Sequence, residues 1–390
     1  MKITVLGRGN AGCLTALHYG YHTRNRKDIS IELIYDPNIP TERVGQASQL
    51  SPPQLLWEAL GINWYDNPIE ATPKFGLLYE NWGKKNHKFF HPFPGYEAGL
   101  QYSPRKLQET ILKSGYFSVQ EKHIDNYEQI DSDYIFDCRG KPRDNWDDYN
   151  MLINPLNSVI LGEGESKEGN QNWTRVVATP DGWTFVIPNT AQTTSYGYLY
   201  NDEITSTKEA SANFEKLFNL ADQGIYLDEK VDNFKFKQYI AKTPIIDDRI
   251  ILGGNRLCFL EPLESTAIEC YLHWAQRNWS WIIDGNTTPA ENTDYIHKYF
   301  FQLQNFVMWH YAFGSKYDTP FWEAAGKLKF EDPVFDSILE YAKKHSTIDL
   351  ISSDQDNHRL GRQYSKYSYA QQWGAYSFKN WYDGMTSEKN

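Results

Sequence analysis

The chain is poor in sulfur and short of positive charge. Of its 390 residues only four are cysteine (Cys13, Cys138, Cys258 and Cys270) and four methionine. No two cysteines form a CxxC pair, and each lies in an apolar segment. The pattern reads as buried, reduced thiols of a cytoplasmic protein and offers no metal site. Lys and Arg number 39 against 50 Asp and Glu, a net charge of -11. That balance argues against a nucleic-acid partner, which would need a basic face. No uninterrupted apolar run is long enough to span a bilayer. The opening residues, Met1 to Leu6, read directly as a core strand rather than as a secretory leader. Internal repeats and low-complexity tracts are also missing. What is plentiful is aromatic: 15% of the residues, with 13 Trp and 27 Tyr. Part of that is core packing, and part suits a pocket that holds flat rings by stacking.

Apolar patterning places a short strand at Ile3 to Leu6, a Gly-rich turn, a helix from Ala11 to Tyr21 and a second strand from Ile29 to Tyr35. This is the start of a βαβ unit. Later strands are expected at Tyr134 to Cys138, Trp183 to Ile187 and Ser195 to Tyr200. Helical spacing covers Ser206 to Leu220 and Thr266 to Trp281. The polar, Gly-rich stretch Gly162 to Asn172 reads as a loop, and past Asn286 the chain turns helical and very aromatic. The organisation expected is a nucleotide-binding module interleaved with a substrate module.

Gly7-Arg8-Gly9-Asn10-Ala11-Gly12 is a full GxGxxG between a strand and a helix. A tight turn, close approach of backbone to a pyrophosphate and close helix–sheet packing each demand glycine. The helix N-terminus beyond it offers free N–H groups and positive potential to the phosphates. Asp36, after the second strand, is placed to bind adenosine ribose hydroxyls, or is an ordinary turn acid before Pro37. The motif alone does not separate NAD from FAD.

Four further segments, in order, resemble the flavin-dependent halogenases of the tryptophan-halogenase family, from Met1 to about Trp322. Ile31 to Pro40 followed by Val44-Gly45-Gln46-Ala47-Ser48 is similar to the family's second strand and V-G-E-A-T turn, with Gln46 in place of Glu. Pro73-Lys74-Phe75-Gly76 through Trp82 resembles the segment that carries the family's essential lysine, matched by Lys74. Gly182 to Pro188 resembles WxWxIP, with Phe185 for the second Trp. Glu261-Pro262-Leu263-Glu264-Ser265-Thr266-Ala267-Ile268 resembles E-P-L-E-S-T-G-I, with Ala267 for Gly. His91-Pro92-Phe93 is similar to the family's H-P-F. His310-Tyr311 and Asp318 to Trp322 look like a further, structural block. The chain is identified as a short, C-terminally reduced member, similar to the phage-encoded type; Tyr369 to Tyr376 faintly resembles the late substrate-lining helix.

The resemblance implies an α/β (α+β) fold of the FAD-dependent monooxygenase type. Its Rossmann-type FAD module would cover about 1–60, 100–145 and 235–285. A mixed-sheet substrate module would cover about 61–99 and 146–234, and a helical C-terminal part 286–390. It implies FAD, supplied as FADH2 by a separate flavin reductase, together with O2 and a halide (chloride, bromide or iodide). The oxidised halide, as hypohalous acid, would then halogenate an electron-rich aromatic by electrophilic substitution. Lys74 would hold and aim the halogen and Glu264 would polarise the oxidant and take the ring proton. Apolar neighbours favour a partly buried Lys74 amine. The N–H groups of Thr266 and Ala267 would bind the halide. His91, Phe93 and Ser265 would border the substrate. Gly7, Gly9, Asn10, Ala11, Gly12, Asp36, Gln46, Ala47, Asn255 and Ile268 would contact the flavin. In residue terms alone, Glu261 and Glu264 also fit a helix-dipole role, with Ser265 or Thr266 as a cap. The expected protein is a cytoplasmic enzyme, with no nucleic-acid or membrane partner and with room for a homo-oligomer. The rival functions are an FAD-dependent aromatic hydroxylase and a non-catalytic flavin or aromatic-ligand binding protein.

Overall fold

Lys2–Leu6 begins a parallel sheet, and its Ile3, Val5 and Leu6 are wholly buried. Burial on both faces is what a strand of a parallel sheet requires, and it explains why Ile3, Val5 and Leu6 are apolar on both faces and why Thr4 between them is buried too. The computed structural model describes residues 1–41, 45–63, 65–83, 88–93, 98–141, 146–165, 171–190, 192–220, 233–330, 340 and 380–386. The resemblance noted at Tyr369 to Tyr376 lies outside them, as does Val44. The chain divides into two units.

The first comprises Met1–Ala71, Tyr102–Leu152 and Gln238–Lys298. Its six-stranded sheet runs Ile245–Ile246, Ile250–Leu252, Tyr134–Asp137, Lys2–Leu6, Ser30–Tyr35, Ser118–Glu121. All neighbours are parallel except the first pair. The helices Asn10–His22 and Thr266–Ile282 pack together, with Tyr19 donating its hydroxyl to the Ala275 carbonyl at 3.2 Å. Trp274 donates to the Leu252 carbonyl at 2.8 Å and so ties the second of these helices to a strand end.

The second unit comprises Thr72–Gln101, Ile153–Lys237 and Tyr299–Asn390. Its seven-stranded sheet runs Asn233–Lys235, Ser158–Glu165, Thr193–Tyr200, Gly182–Pro188, Thr174–Thr179, Gly76–Glu80, Lys88–Pro92. The pair Thr174–Thr179 and Gly76–Glu80 is parallel and the others are antiparallel. The helix Thr207–Phe218 starts on Ser206, whose hydroxyl accepts from Glu209 N at 3.3 Å, half of a capping box. Ala210, Phe214 and Phe218, four residues apart, bury one stripe of that helix in a cluster with Tyr196, Tyr198 and Tyr200. Full burial of such a side chain contributes roughly 1.5–3 kcal/mol.

The beginning of the Gly-rich stretch Gly162 to Asn172, read as a loop, is a correction; residues 166–170 lie outside the described residues. Ser158–Glu165 is one strand, and Gly162 and Gly164 pair with Tyr196 and Thr194. Partner strands supply the hydrogen bonds that glycine's flexibility would otherwise forgo, so local composition is overruled by register. Among the described residues, the strand's other neighbour pairs with Ser158, Val159 and Ile160.

The His310 block is structural in this unit. His310 Nδ1 lies 2.9 Å from the Phe306 carbonyl, while Nε2 meets the Tyr79 hydroxyl at 3.0 Å and accepts from Trp381 Nε1 at 2.9 Å. The carbonyl fixes the proton on Nδ1, which leaves Nε2 as the acceptor. Trp322 Nε1 likewise donates to the Thr179 carbonyl at 2.8 Å.

Candidate active site

In the first unit, Gly7 has φ +99°, and a Cβ placed there would lie 2.6 Å from the Cys138 carbonyl oxygen. A Cβ on Gly12 would lie 1.9 Å from the Gly7 oxygen. Both positions therefore exclude every side chain, as the tight turn and close packing demand. Gly9 occupies the N-cap of Asn10–His22 with no side-chain cap, and no acid stands in the first turn. The leading N–H groups of that helix thus have no competing side-chain anion.

Beside this turn opens a cavity of about 820 Å³. Leu6, Tyr35, Lys122, Cys138 and Leu252 line it, so it sits at the carboxyl ends of the five parallel strands. Open α/β sheets bind ligands at that edge, where strand order reverses. Gly7, Gly9 and Asp36 face it; Asn10, Ala11, Gly12, Gln46, Ala47, Asn255 and Ile268 do not line it. Asn255 instead accepts from the Tyr271 hydroxyl at 2.5 Å, and Ile268 is buried in its helix.

Sequence reasoning missed several residues of this cavity. Arg139 grips the buried Asp137 through Nε at 2.8 Å and Nη2 at 2.9 Å, and Nη1 donates to the Ile124 carbonyl at 2.7 Å. Asp137 also accepts from Tyr127 at 2.7 Å. Burial acts against the Asp137 charge, but the Arg139 hydrogen bonds win and hold its carboxyl below the ordinary range. The Tyr127 phenol is pushed up to about 12 by burial and by that carboxylate. Arg139 was visible only as the residue after a strand; the signal was that this strand neighbours the one bearing the glycines.

The Glu261 segment leads into Thr266–Ile282. Glu264 (φ 67°) and Ser265 (φ 56°) are consecutive left-handed residues, and neither is glycine. Each such residue costs on the order of 1–3 kcal/mol, which surrounding contacts must hold in place. Gln49 does so in part, donating Nε2 to the Glu264 carbonyl at 2.9 Å. The Glu264 side chain is wholly buried, as is Glu261. Ser265 takes the N-cap position without a side-chain cap, so the capping role open to it is not used. The acid of the first turn is Glu269, whose carboxylate accepts from Ser51 N at 3.1 Å and from the Ser51 hydroxyl. Thr266 is buried and Ala267 half-buried.

In the second unit Lys74 ends the strand Thr72–Lys74 and is wholly buried, deeper than the partial burial expected. Its Nζ stands 5.2 Å from the centre of the Phe93 ring, within cation–π range. Phe93 is buried and His91 wholly so. Phe93 N donates to the Phe75 carbonyl at 2.8 Å, and Thr72 Oγ1 donates to the Pro188 carbonyl at 2.8 Å. The Lys74 strand is thereby tied to the end of Gly182–Pro188, all seven residues of which are buried. Phe185 pairs across the strands with Gly197, and a Cβ on Gly197 would lie 2.1 Å from the Phe185 ring. Among the described residues no His, Cys, Asp and Glu group is arranged to hold a metal ion. All four cysteines are buried, and none forms a disulfide among the described residues. No helix among the described residues is long and apolar enough to cross a membrane.

The profile of the tryptophan halogenase family matches residues 2–129 and 118–383. The chain belongs to that family. It is 26% identical over 195 residues to tryptophan 6-halogenase ThaL of Streptomyces albogriseolus, covering 49% of this chain and 35% of that protein. With tryptophan 7-halogenase RebH of Lentzea aerocolonigenes it shares 21% identity over 442 residues, 87% of this chain and 81% of that protein. The solved structure of a flavin-dependent halogenase from Xanthomonas campestris, Xcc4156, superposes with a TM-score of 0.73 at 17% identity, covering 87% of this chain and 83% of that one. At that identity the superposition shows a shared fold. The α/β fold class and the family read from the motifs are both borne out.

The halogenase family's flavin fits the first unit on geometry. The glycine turn leaves no room for a Cβ, the helix N-terminus is uncapped, and the adjacent cavity lies at the strand ends. These are the features by which a dinucleotide's pyrophosphate is held.

Proposed function

We propose that this protein is a flavin-dependent halogenase that uses reduced FAD, oxygen and a halide to halogenate an electron-rich, indole- or phenol-like substrate. The family and the shared fold support flavin use. The observation that carries the reading is Lys74, an amine wholly buried against an aromatic ring in the family-like segment. A buried lysine without a task is costly, since desolvation penalises its charge.

Bound at the glycine turn, reduced FAD would supply the electrons that activate oxygen. Gly7, Gly9 and the start of Asn10–His22 hold the pyrophosphate, and Asp36 accepts from the ribose. Asn10, Ala11, Gly12, Gln46, Ala47, Asn255 and Ile268 complete the flavin's surroundings. The N–H groups of Thr266 and Ala267 hold the halide at a helix N-terminus. Lys74 donates a hydrogen bond to hypohalous acid and orients its halogen. Glu264 takes the proton that the ring loses as the carbon–halogen bond forms and passes it to the departing hydroxide, so that water leaves. His91, Phe93 and Ser265 border the substrate. A separate flavin reductase supplies the reduced cofactor, and the enzyme works in the cytoplasm.

Lys74→Ala tests this. With FAD, a generic reductase, NADH, halide and a panel of indoles and phenols, halogenated product should fall by about 10²–10⁴-fold. Oxygen consumption and FAD affinity should persist. Undiminished halogenation by the variant, with free hypohalous acid scavenged, would overturn the assignment. Oxygenated rather than halogenated product from the unaltered protein would mark a hydroxylase.

A further inference from the structure

His123 stands in the cavity at the end of the parallel sheet, outside every motif that the sequence offers. It follows the strand Ser118–Glu121, which borders Ser30–Tyr35 in parallel and so brings His123 beside Asp36. Its Nδ1 lies 2.7 Å from Asp36 Oδ2, and its Nε2 lies 3.0 Å from Asp125 Oδ1. Only the imidazolium donates from both nitrogens, so this geometry is that of the protonated ring.

The hydrogen bonds at Asp36 limit what it can do. Its Oδ1 accepts from Asn38 N at 2.9 Å and from Asn38 Nδ2 at 3.0 Å. A carboxylate has about four acceptor positions. Asn38 fills the two on Oδ1 and His123 one on Oδ2, which leaves a single acceptor on Oδ2 for an incoming hydroxyl.

We propose that His123 is a positioning residue that orients Asp36 toward the ribose of the bound dinucleotide and makes cofactor binding pH-dependent. The proposal rests on the flavin reading of this cavity. The hydrogen bond to Asp36 and then that to Asp125 raise the His123 pKa above its ordinary value. The Asn38 backbone N–H and then His123 hold Asp36 below its own. The other carboxylates facing the cavity are Asp125 and Asp148; the cations are Arg8, Lys122, Arg139, Lys141 and Arg256. The phenols of Tyr35, Tyr127 and Tyr149 and the Cys138 thiol are all shifted upward, away from neutrality. His123 is therefore the group of this cavity that changes charge near neutral pH. Protonated, it orders Asp36 and offsets the negative charge that a pyrophosphate meets from Asp36 and Asp125. Deprotonated, it loses one carboxylate bond and that offset.

The probe is oxidised FAD, titrated calorimetrically from about pH 6 to about pH 8.5, the range over which a histidine of raised pKa loses its proton. Affinity should fall on the order of fivefold across that range. His123→Asn, whose amide can replace the Nδ1 donor, should bind FAD with a flat pH profile. By reciprocity FAD should raise the His123 pKa, read from its imidazole NMR signals in the unaltered protein. Equal pH slopes in the unaltered protein and His123→Asn, or an imidazole titration insensitive to FAD, would sink the role of His123 while leaving the cofactor reading intact. No FAD binding at any pH would overturn both.

Discussion

Two carboxylates three residues apart, Glu261 and Glu264, are both wholly buried, yet their backbones differ. Glu264 carries left-handed backbone together with Ser265, whereas Glu261 has no such strain. Strain of this kind persists where neighbours enforce it, and Gln49 bonds to the Glu264 carbonyl. The backbone thus fixes where the Glu264 side chain starts, which suits a proton acceptor better than a helix-dipole partner. Removing charge while keeping shape separates the two roles. Glu264→Gln should reduce halogenation by about 10²–10⁴-fold, the range for loss of a general acid–base group. Glu261→Gln should cost less. Steady-state rates on one accepted substrate, with both variants shown to be folded by circular dichroism, give the ranking; the reverse order would mean that the family motif is assigned to the wrong carboxylate.

At the scale of elements, the Gly turn and the helix after it were legible because their requirements are local. Gly12 is the sharpest case: its missing Cβ would lie 1.9 Å from the Gly7 oxygen. Backbone, not a flexible side chain, is the obstacle. Gly12→Ala should therefore shift the turn, cost about 1–3 kcal/mol as overpacking does, and abolish FAD binding measured by flavin fluorescence. A folded variant with unaltered FAD affinity would remove the turn from the cofactor site. The roles proposed for Lys74, Glu264, Thr266 and Ala267 come only from the order of the family-like segments, because none of their spacings is diagnostic alone. His123 and Arg139 were not legible. Their place in the cavity depends on which strands are neighbours, and Ser118–Glu121 is an exposed strand with no apolar alternation to announce it. Glycine content also misled at Gly162 and Gly164, where pairing with Thr193–Tyr200 outweighs intrinsic preference.

At the scale of the whole molecule, two histidines, one buried and one half-buried, connect stability to acidity. His18 lies in Asn10–His22, and neither ring nitrogen has a hydrogen-bond partner among the described residues. Burial, with His22 adding to it, lowers its pKa from 6.5 to about 3. His273 lies in Thr266–Ile282 and meets the Tyr295 hydroxyl at 2.5 Å; burial, with Arg277 adding to it, lowers its pKa to about 4. Both rings are neutral in the folded chain but take up protons near the ordinary value of 6.5 once unfolded. Below that value the unfolded chain binds more protons, so stability falls as pH drops, until each ring protonates in the folded state too. At about pH 5 each ring should cost on the order of 2 kcal/mol relative to pH 7. The two helices that carry these rings pack on one another in the first unit, so the loss should appear there first. Thermal melts at pH 7 and pH 5 should show Tm falling with acid, and His18→Leu should flatten that slope. A Tm independent of pH over this interval, or an identical slope in His18→Leu, would show that these rings are hydrated or paired in solution and do not govern the acid limit.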